Sequence, residues 1–401
     1  MKILHVVPTY LPAWRHGGPI LAVHGLCKAL AARGHEVTVF TTDVHGDGAL
    51  DVPLSRPVGI DGVEVRYFPV RSLRRLYWAP GLAEAARAEM GRFDAVHLHS
   101  VFLWPTSAAA RAAERADVPY VLSPRGMLVP DLIHARGRWR KLAWMALAER
   151  RTLERAATLH VTSALEAEEA ARLGYLLPPV AVVPNGIAPE PWDGNLTALS
   201  PQVRETVEGA PFLLFLGRLS WKKGLDRLIP ALAEIPGAVL AVAGNDEEGL
   251  RPGLERLAGD SQVRFLGPVH GVDKAALLHR TAALVLPSRS ENFGNVVLEA
   301  WAAGRPVAVT PEVGLAGTVR ETGAGIVLEG DLGQSLARLL ADPARLDEMG
   351  RRGAEAARER FGWPAVAREM EEVYHHVMTG GCVAPSGHDL IRGTSREGRH
   401  V

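Results

Sequence analysis

The sequence has 401 residues, 47% hydrophobic and 22% charged, with 45 basic side chains set against 45 acidic ones; that length fits two ordinary domains and that composition a globular chain. Zero net charge speaks against a nucleic-acid binder, and the small basic surplus is N-terminal, with 22 Lys and Arg against 18 Asp and Glu over residues 1–190. Two cysteines, Cys27 and Cys382, are too few for a disulfide scaffold or a cysteine-ligated zinc site; with neither a signal-like leader nor a run of ~18 apolar residues, they predict a cytoplasmic protein without a membrane span.

Lys2 to Val7 read as a buried strand, the loop Pro8 to Pro19 carries Gly17-Gly18, a helix runs from about Ile20 to Arg33 and stops at Gly34, and Glu36 to Thr42 form the next strand. The loop is not GxGxxG, so it is either a plain turn or a place where backbone approaches a phosphate or sugar closely. Further strands are predicted at Val63–Phe68, Ala95–Leu98, Tyr120–Leu122, Leu159–Thr162 and Val180–Val183, separated mostly by helical stretches, which is the alternation of a parallel, doubly wound sheet. His97 and His99 fall on one face of their strand because side chains alternate. His99, nearer the carboxyl end, is either a cleft residue or a structural histidine. Arg125, in SPRGM after the next strand, suits a phosphate or carboxylate clamp, or else decorates a turn. The basic and aromatic segment 134–155 is either a surface for an anionic membrane or a helix whose apolar side packs into the domain.

From Ala188 to Glu208 the chain is rich in Pro, Asp, Asn, Gly and Ser, and a linker is expected there. The domains are accordingly set at 1–190 and 191–362, with a disordered tail at 379–401. Beyond the linker, the strand Pro211–Leu216 delivers GRLSWKKGLD, in which Gly217 and Gly224 bracket Arg218, Lys222 and Lys223. Cations beside amide donors make a diphosphate seat, or a solvated basic turn. Strands Val239–Ala243, running into Gly244-Asn245-Asp246, and Val263–Leu266 follow. Residues 284–310 then read as strand, polar loop with Glu291, helix from about Asn295 to Ala303, and strand. On that reading Glu291 and Glu299 both face the carboxyl ends of parallel strands, where open α/β sheets bind ligands, and the helix-start amides of Gly294 and Asn295 suit an anion. The last helices are predicted at Gln334–Leu340, Pro343–Arg360 and from Pro364 to about Val377.

Taken together, GRLxxxKG at Gly217–Gly224, the Glu-x7-Glu pair of Glu291 and Glu299 around Phe293-Gly294, and the early Gly17-Gly18 loop resemble family-four retaining glycosyltransferases of the GT-B fold over about residues 1–378. The resemblance implies two Rossmann-like doubly wound domains facing a cleft, an N-terminal one for acceptor and a C-terminal one for a nucleotide-diphosphate sugar of UDP or GDP type, with the final helix, about 364–378, returning to the first. It implies Arg218 and Lys223 on the donor diphosphate without a metal, Glu299 on the ribose, Glu291 with Phe293 and Gly294 at the donor sugar, and Asn245 and Gly17-Gly18 nearby. The expected activity is sugar transfer to a saccharide or lipid-linked acceptor in polysaccharide or glycoconjugate assembly; a sugar-nucleotide epimerase of the same fold and a non-catalytic nucleotide-sugar-binding regulator are the alternatives. Many relatives carry a histidine where this chain has Arg125, which leaves His99 as the side chain available to activate the acceptor.

Overall fold

A computed structural model of the chain describes residues 1–13, 18–130 and 149–380. Two compact units emerge: Met1–Gly186 together with the chain from Trp363 onward, and Ile187–Gly362. Among the described residues no helix is long and apolar enough to cross a membrane.

In the first unit the strands are β1 (Lys2–Val6), β2 (Glu36–Thr42), β3 (Val44–His45), β4 (Gly48–Ala49), β5 (Pro57–Ile60), β6 (Val63–Phe68), β7 (Ala95–His99), β8 (Tyr120–Ser123), β9 (Thr158–Val161) and β10 (Val180–Val182). Eight of them form one sheet in the order β10-β9-β8-β7-β1-β2-β6-β5, parallel throughout except where β5 pairs β6, while β3 and β4 make a separate two-stranded ribbon. Sequence reading missed β3, β4 and β5. The edge strand PVGI has no fully buried side chain, so its pairing comes from β6 and not from a hydrophobic pattern of its own. The order reverses at β1 and β7, where the chain switches from winding one way to the other. Leu4, Val6, Val96, Leu98 and Leu122 pack on one face, while Ile3, Val37, Val39, Ala95 and Val121 lie on the other with helix Gly18–Ala32 and helix Trp363–Thr379. The latter is thus the helix expected to return to the first domain. A Cβ on Gly25 or Gly186 would come within 2.4 Å of the Trp363 ring, so both must be glycine for that helix to seat. Glu371 further along accepts from Arg33 Nε at 2.8 Å and bonds His35.

The second unit holds β11 (Phe212–Leu216), β12 (Val239–Ala243), β13 (Val263–Gly267), β14 (Ala283–Leu286), β15 (Val307–Val309) and β16 (Gly325–Val327), all parallel in the order β13-β12-β11-β14-β15-β16. Renumbered within the unit this is 3-2-1-4-5-6, the doubly wound dinucleotide order, with its switch point between β11 and β14. Strands β11, β12, β14 and β15 are buried along their whole length, which is why they read as continuous apolar runs. One expectation is corrected here. The stretch 188–208 is not a linker: the boundary falls after Gly186, and Pro201–Glu208 is a helix with proline in its first turn that buries Val203, Thr206 and Val207 in the second unit's core. Its buried face, two valines and a threonine, is too short to stand out from the surrounding turn-forming composition.

Candidate active site

At the switch point of the second unit, β11 runs into Gly217 and β12 into Gly244. Both have positive φ (155° and 156°), and a Cβ on Gly244 would stand 1.8 Å from the Gly217 carbonyl oxygen. Gly217 N donates to Ala243 O at 2.9 Å and Leu219 N to Asn245 O at 2.8 Å, so the two strand ends lock together as bare backbone. Lys223 packs against this turn: a Cβ on Gly217 would stand 3.9 Å from Lys223 Nζ, in ordinary contact. Its partner is Glu291: the ammonium bonds Oε2, and both side chains are only 20% exposed. Thus the structure brings together two of the residues singled out from sequence, the basic loop after β11 and the acidic loop after β14.

That juxtaposition is built by contacts no motif announces. Gly224, at φ 68°, caps helix Leu225–Ala231 where a Cβ would meet the Pro287 carbonyl oxygen at 2.0 Å. Arg227 on that helix donates to Pro287 O at 2.9 and 2.8 Å and to Ser288 O at 2.8 Å. Arg289 grips Asp226 through both nitrogens at 2.6 and 2.9 Å, which holds the Asp226 carboxyl below its usual range. Glu291 itself is bridged to Val313, with Glu291 N donating to Glu312 O at 3.1 Å and Gly314 N to Glu291 O at 2.9 Å. Phe293 is buried beneath this turn, and Gly294, at φ 94°, caps helix Asn295–Ala302.

The remaining sequence-predicted residues of this unit stand in two other groups. Arg218, two-thirds exposed, reaches Glu247 Oε2 at 3.4 Å, while Asn245 Nδ2 donates to Glu247 Oε1 at 2.7 Å. Glu299 pairs with Lys274 Nζ at 3.0 Å, which also meets Glu190 at 3.1 Å, and it lines a small pocket with Ile187, Ala188, Glu190 and Leu278. Glu291 and Glu299 are therefore held by different lysines. Burial pushes the Glu299 carboxyl up against the pull of Lys274, and its Oε2 is buried without a partner among the described residues. Burial opposes the charge on Lys274, but the two carboxylates outweigh it and raise that amine above its usual value. Lys274, Glu190 and Glu247 were missed because nothing in their local spacing marks them; they are found only by what they touch.

In the first unit His97 and His99 do share a face, their rings stacked with centroids 4.1 Å apart. His99 is buried, and both its nitrogens are engaged: Nε2 lies 3.0 Å from His5 Nδ1, and Nδ1 3.2 Å from Arg125 Nη2. It braces Arg125 and presents no free nitrogen to an acceptor. Burial and the Arg125 charge hold its imidazole well below the usual value, hence neutral. Arg125 has a φ of 55°, unusual for a residue with a Cβ, is partly exposed, and donates from Nη1 to Asn185 Oδ1 at 2.9 Å. Gly18 opens helix Gly18–Ala32, whereas Gly17 lies outside the described residues. So do residues 134–148 of the basic segment and 381–401 of the tail; what is described of the segment is Glu149 and helix Arg150–Arg155.

Residues 17–186 match the model of the glycosyl transferase 4-like domain, and residues 199–360 that of the glycosyl transferases group 1. The chain is 34% identical to a D-inositol 3-phosphate glycosyltransferase of Xylanimonas cellulosilytica, over 89% of this chain and 91% of the relative. It is 30% identical to a glycogen synthase of Mycobacterium tuberculosis, over 93% and 94%. Among solved structures it resembles sucrose-phosphate synthase from Thermosynechococcus elongatus (TM-score 0.71, 23% identity, 95% of this chain and 100% of that one) and Anabaena HepE in complex with UDP and glucose (TM-score 0.69, 22% identity, 94% and 99%).

Proposed function

The chain belongs to the glycosyltransferases of the GT-B fold that join a glycosyl transferase 4-like domain to a group 1 domain, and from that membership we propose a retaining hexosyltransferase that moves a sugar from a UDP- or GDP-sugar to a saccharide or lipid-linked acceptor in cell-surface polysaccharide or glycoconjugate assembly. The observation that carries this reading is the Lys223–Glu291 pair at the β11/β14 switch point. A glycosyl diphosphate breaks with negative charge growing on the phosphate and positive charge on the sugar ring, so a fixed cation and a fixed carboxylate side by side serve the two ends of one bond. In the free enzyme they neutralise each other. In the proposed complex Lys223, with Arg218 swinging from Glu247, takes the diphosphate without a metal, while Glu291 and the amides after Gly294 hold the sugar. Glu299, whose Oε2 is buried and unpartnered, accepts from ribose hydroxyls.

On the acceptor side Arg125 supplies a cation for an anionic or strongly polar group, with His99 behind it. Acceptor deprotonation falls to the leaving diphosphate oxygen on the face of the sugar that the acceptor attacks. HepE, with UDP and glucose in its solved complex, supports a nucleotide-sugar donor. Peripheral contact of segment 134–155 with an anionic membrane at the cytoplasmic face belongs to the same proposal, and co-sedimentation with anionic liposomes at low salt tests it. The donor test is a panel of UDP- and GDP-sugars screened by thermal shift, followed by turnover of Lys223→Ala and Glu291→Ala with the best of them. Each variant is expected to lose turnover with its fold intact. Turnover surviving in both overturns the site, free epimerised nucleotide sugar appearing without acceptor replaces transfer by epimerisation, and an inverted anomer in the product removes retention.

A further inference from the structure

Four buried histidines lie on one face of the first unit's sheet: His5 on β1, His97 and His99 on β7, and His160 on β9. Three of them, His5, His97 and His99, bring ring nitrogens within 4.8 Å of one another, the spacing of a metal site. The hydrogen bonds point elsewhere. Arg125 can only donate, so His99 Nδ1 accepts (3.2 Å) and, in a neutral ring, Nε2 carries the hydrogen. It donates to His5 Nδ1 (3.0 Å), which puts the His5 hydrogen on Nε2, 3.5 Å from the Tyr374 oxygen.

Working from the opposite end, the Val183 carbonyl can only accept, so His160 holds its hydrogen on Nε2 (2.9 Å) and accepts at Nδ1 from His97 Nε2 (3.1 Å). His97 Nδ1 is then an acceptor, and the Tyr374 hydroxyl donates to it at 2.7 Å. The two derivations start from different ends and meet at Tyr374 without conflict: its hydroxyl gives one hydrogen and receives one. Every ring is neutral and every proton faces the same way along the chain. A proton added to any one of the rings would set two N–H groups against each other, and burial with the nearby Arg125 charge holds His5 and His160 down to about 3. A metal ion would have to displace these bonds one after another next to a guanidinium that repels it.

We infer that Tyr374, on the helix that returns to the first unit, is a positioning residue for Arg125: through His5 and His99 it fixes the proton pattern that leaves the His99 Nδ1 lone pair facing the guanidinium. Arg125 needs such a device. No carboxylate pairs with it among the described residues, its Nε is buried without a partner, and its backbone sits at φ 55°. The neutral chain orients the cation without cancelling its charge, as a carboxylate would. The inference rests on the reading of Arg125 as the acceptor-side cation, but its structural half is tested apart from it.

Full-length protein labelled with ¹⁵N at histidine and arginine is examined at pH 7 by ¹H–¹⁵N correlation, long-range for the rings, and assigned by single His→Gln variants. Expected are four neutral Nε2–H rings, and in Tyr374→Phe the His5 and His97 signatures shift while the Arg125 Nε–H signal exchanges at least tenfold faster. Nδ1–H or a charged ring at His99 or His5 overturns the inference, as does stoichiometric Zn²⁺ binding that abolishes the Nε2–H signals, or a Tyr374→Phe protein whose Arg125 signal is unchanged. Nucleotide binding in the thermal-shift panel checks that the variant is folded. Inorganic phosphate, titrated with UDP present to fill the donor site, reports on the reading separately: an Arg125 signal indifferent to phosphate in the wild type removes the anion-binding role and leaves the chain standing.

Discussion

Glu291→Gln offers a sharper test than a loss of activity. In the free enzyme the Lys223 ammonium is occupied by Glu291, with both side chains one-fifth exposed. A nucleoside diphosphate without its sugar must draw Lys223 away and leave that carboxylate in company with phosphate. Exposed ion pairs are worth about 0.2–1 kcal/mol; for this partly buried pair about 1 kcal/mol opposes diphosphate binding, a factor of roughly five in Kd. Replacing the carboxylate by the isosteric amide removes that competition. The expected result is UDP or GDP binding about fivefold tighter by calorimetry, together with a fall in turnover of about 10²–10³, the size of loss seen when one fixed electrostatic contact to a transition state is removed. Lys223→Ala moves the other way, weakening diphosphate and turnover together. Weaker diphosphate binding to Glu291→Gln refutes the exchange, because it shows Glu291 supporting the nucleotide and not competing for the lysine.

Three other outcomes follow from specific contacts. Gly244→Ala forces a Cβ to 1.8 Å from the Gly217 carbonyl, so the second unit loses about 3 kcal/mol and melts roughly 6–12 °C lower by calorimetry; an unchanged melting temperature shows the two loops part easily. Acid sensitivity comes from the neutral histidines. The folded pKa values of His5 and His160 are depressed to about 3, so the stability these rings carry is complete above the unfolded value near 6.5 and is lost as pH falls from there toward about 3, with His97 and His99 acting in the same direction. At about 1.4 kcal/mol per pH unit for each of the first two rings, about 5 kcal/mol of a typical 5–15 kcal/mol is lost some two units below the unfolded value, and near-UV circular dichroism of the first unit is expected to collapse near pH 4; a native signal at pH 3.5 contradicts it. Glu299→Gln keeps the Lys274 contact in shape but removes its charge, and is expected to weaken nucleoside diphosphate binding about tenfold while free ribose-less pyrophosphate is unaffected. Equal losses for both ligands show that Glu299 does not report on the ribose.

Much of this molecule is written in local pattern. Continuous apolar runs such as FLLFL and VLAVA announce buried parallel strands, because a strand covered on both faces has no polar side to show. Glycines at Gly217, Gly224 and Gly294 mark strand-to-helix junctions because the backbone there needs a positive φ or passes against another carbonyl. Lys223 and Glu291 could be picked out for their chemistry, since each follows a predicted strand.

What the chain order could not show is which junctions meet. Lys223 and Glu291 are 68 residues apart and touch only because β14 is laid beside β11, an adjacency set by the winding of the sheet. Lys274, Glu190 and Glu247 carry no mark until folding places them beside Glu299 and Arg218. The row of histidines shows the same division. Alternation put His97 and His99 on one side, yet it took β1, β9 and a helix almost 280 residues away to close the hydrogen-bond chain that decides where each proton sits. Local pattern is set by neighbours along the backbone, whereas a site is a set of distances between segments, and those exist only once the cores have packed.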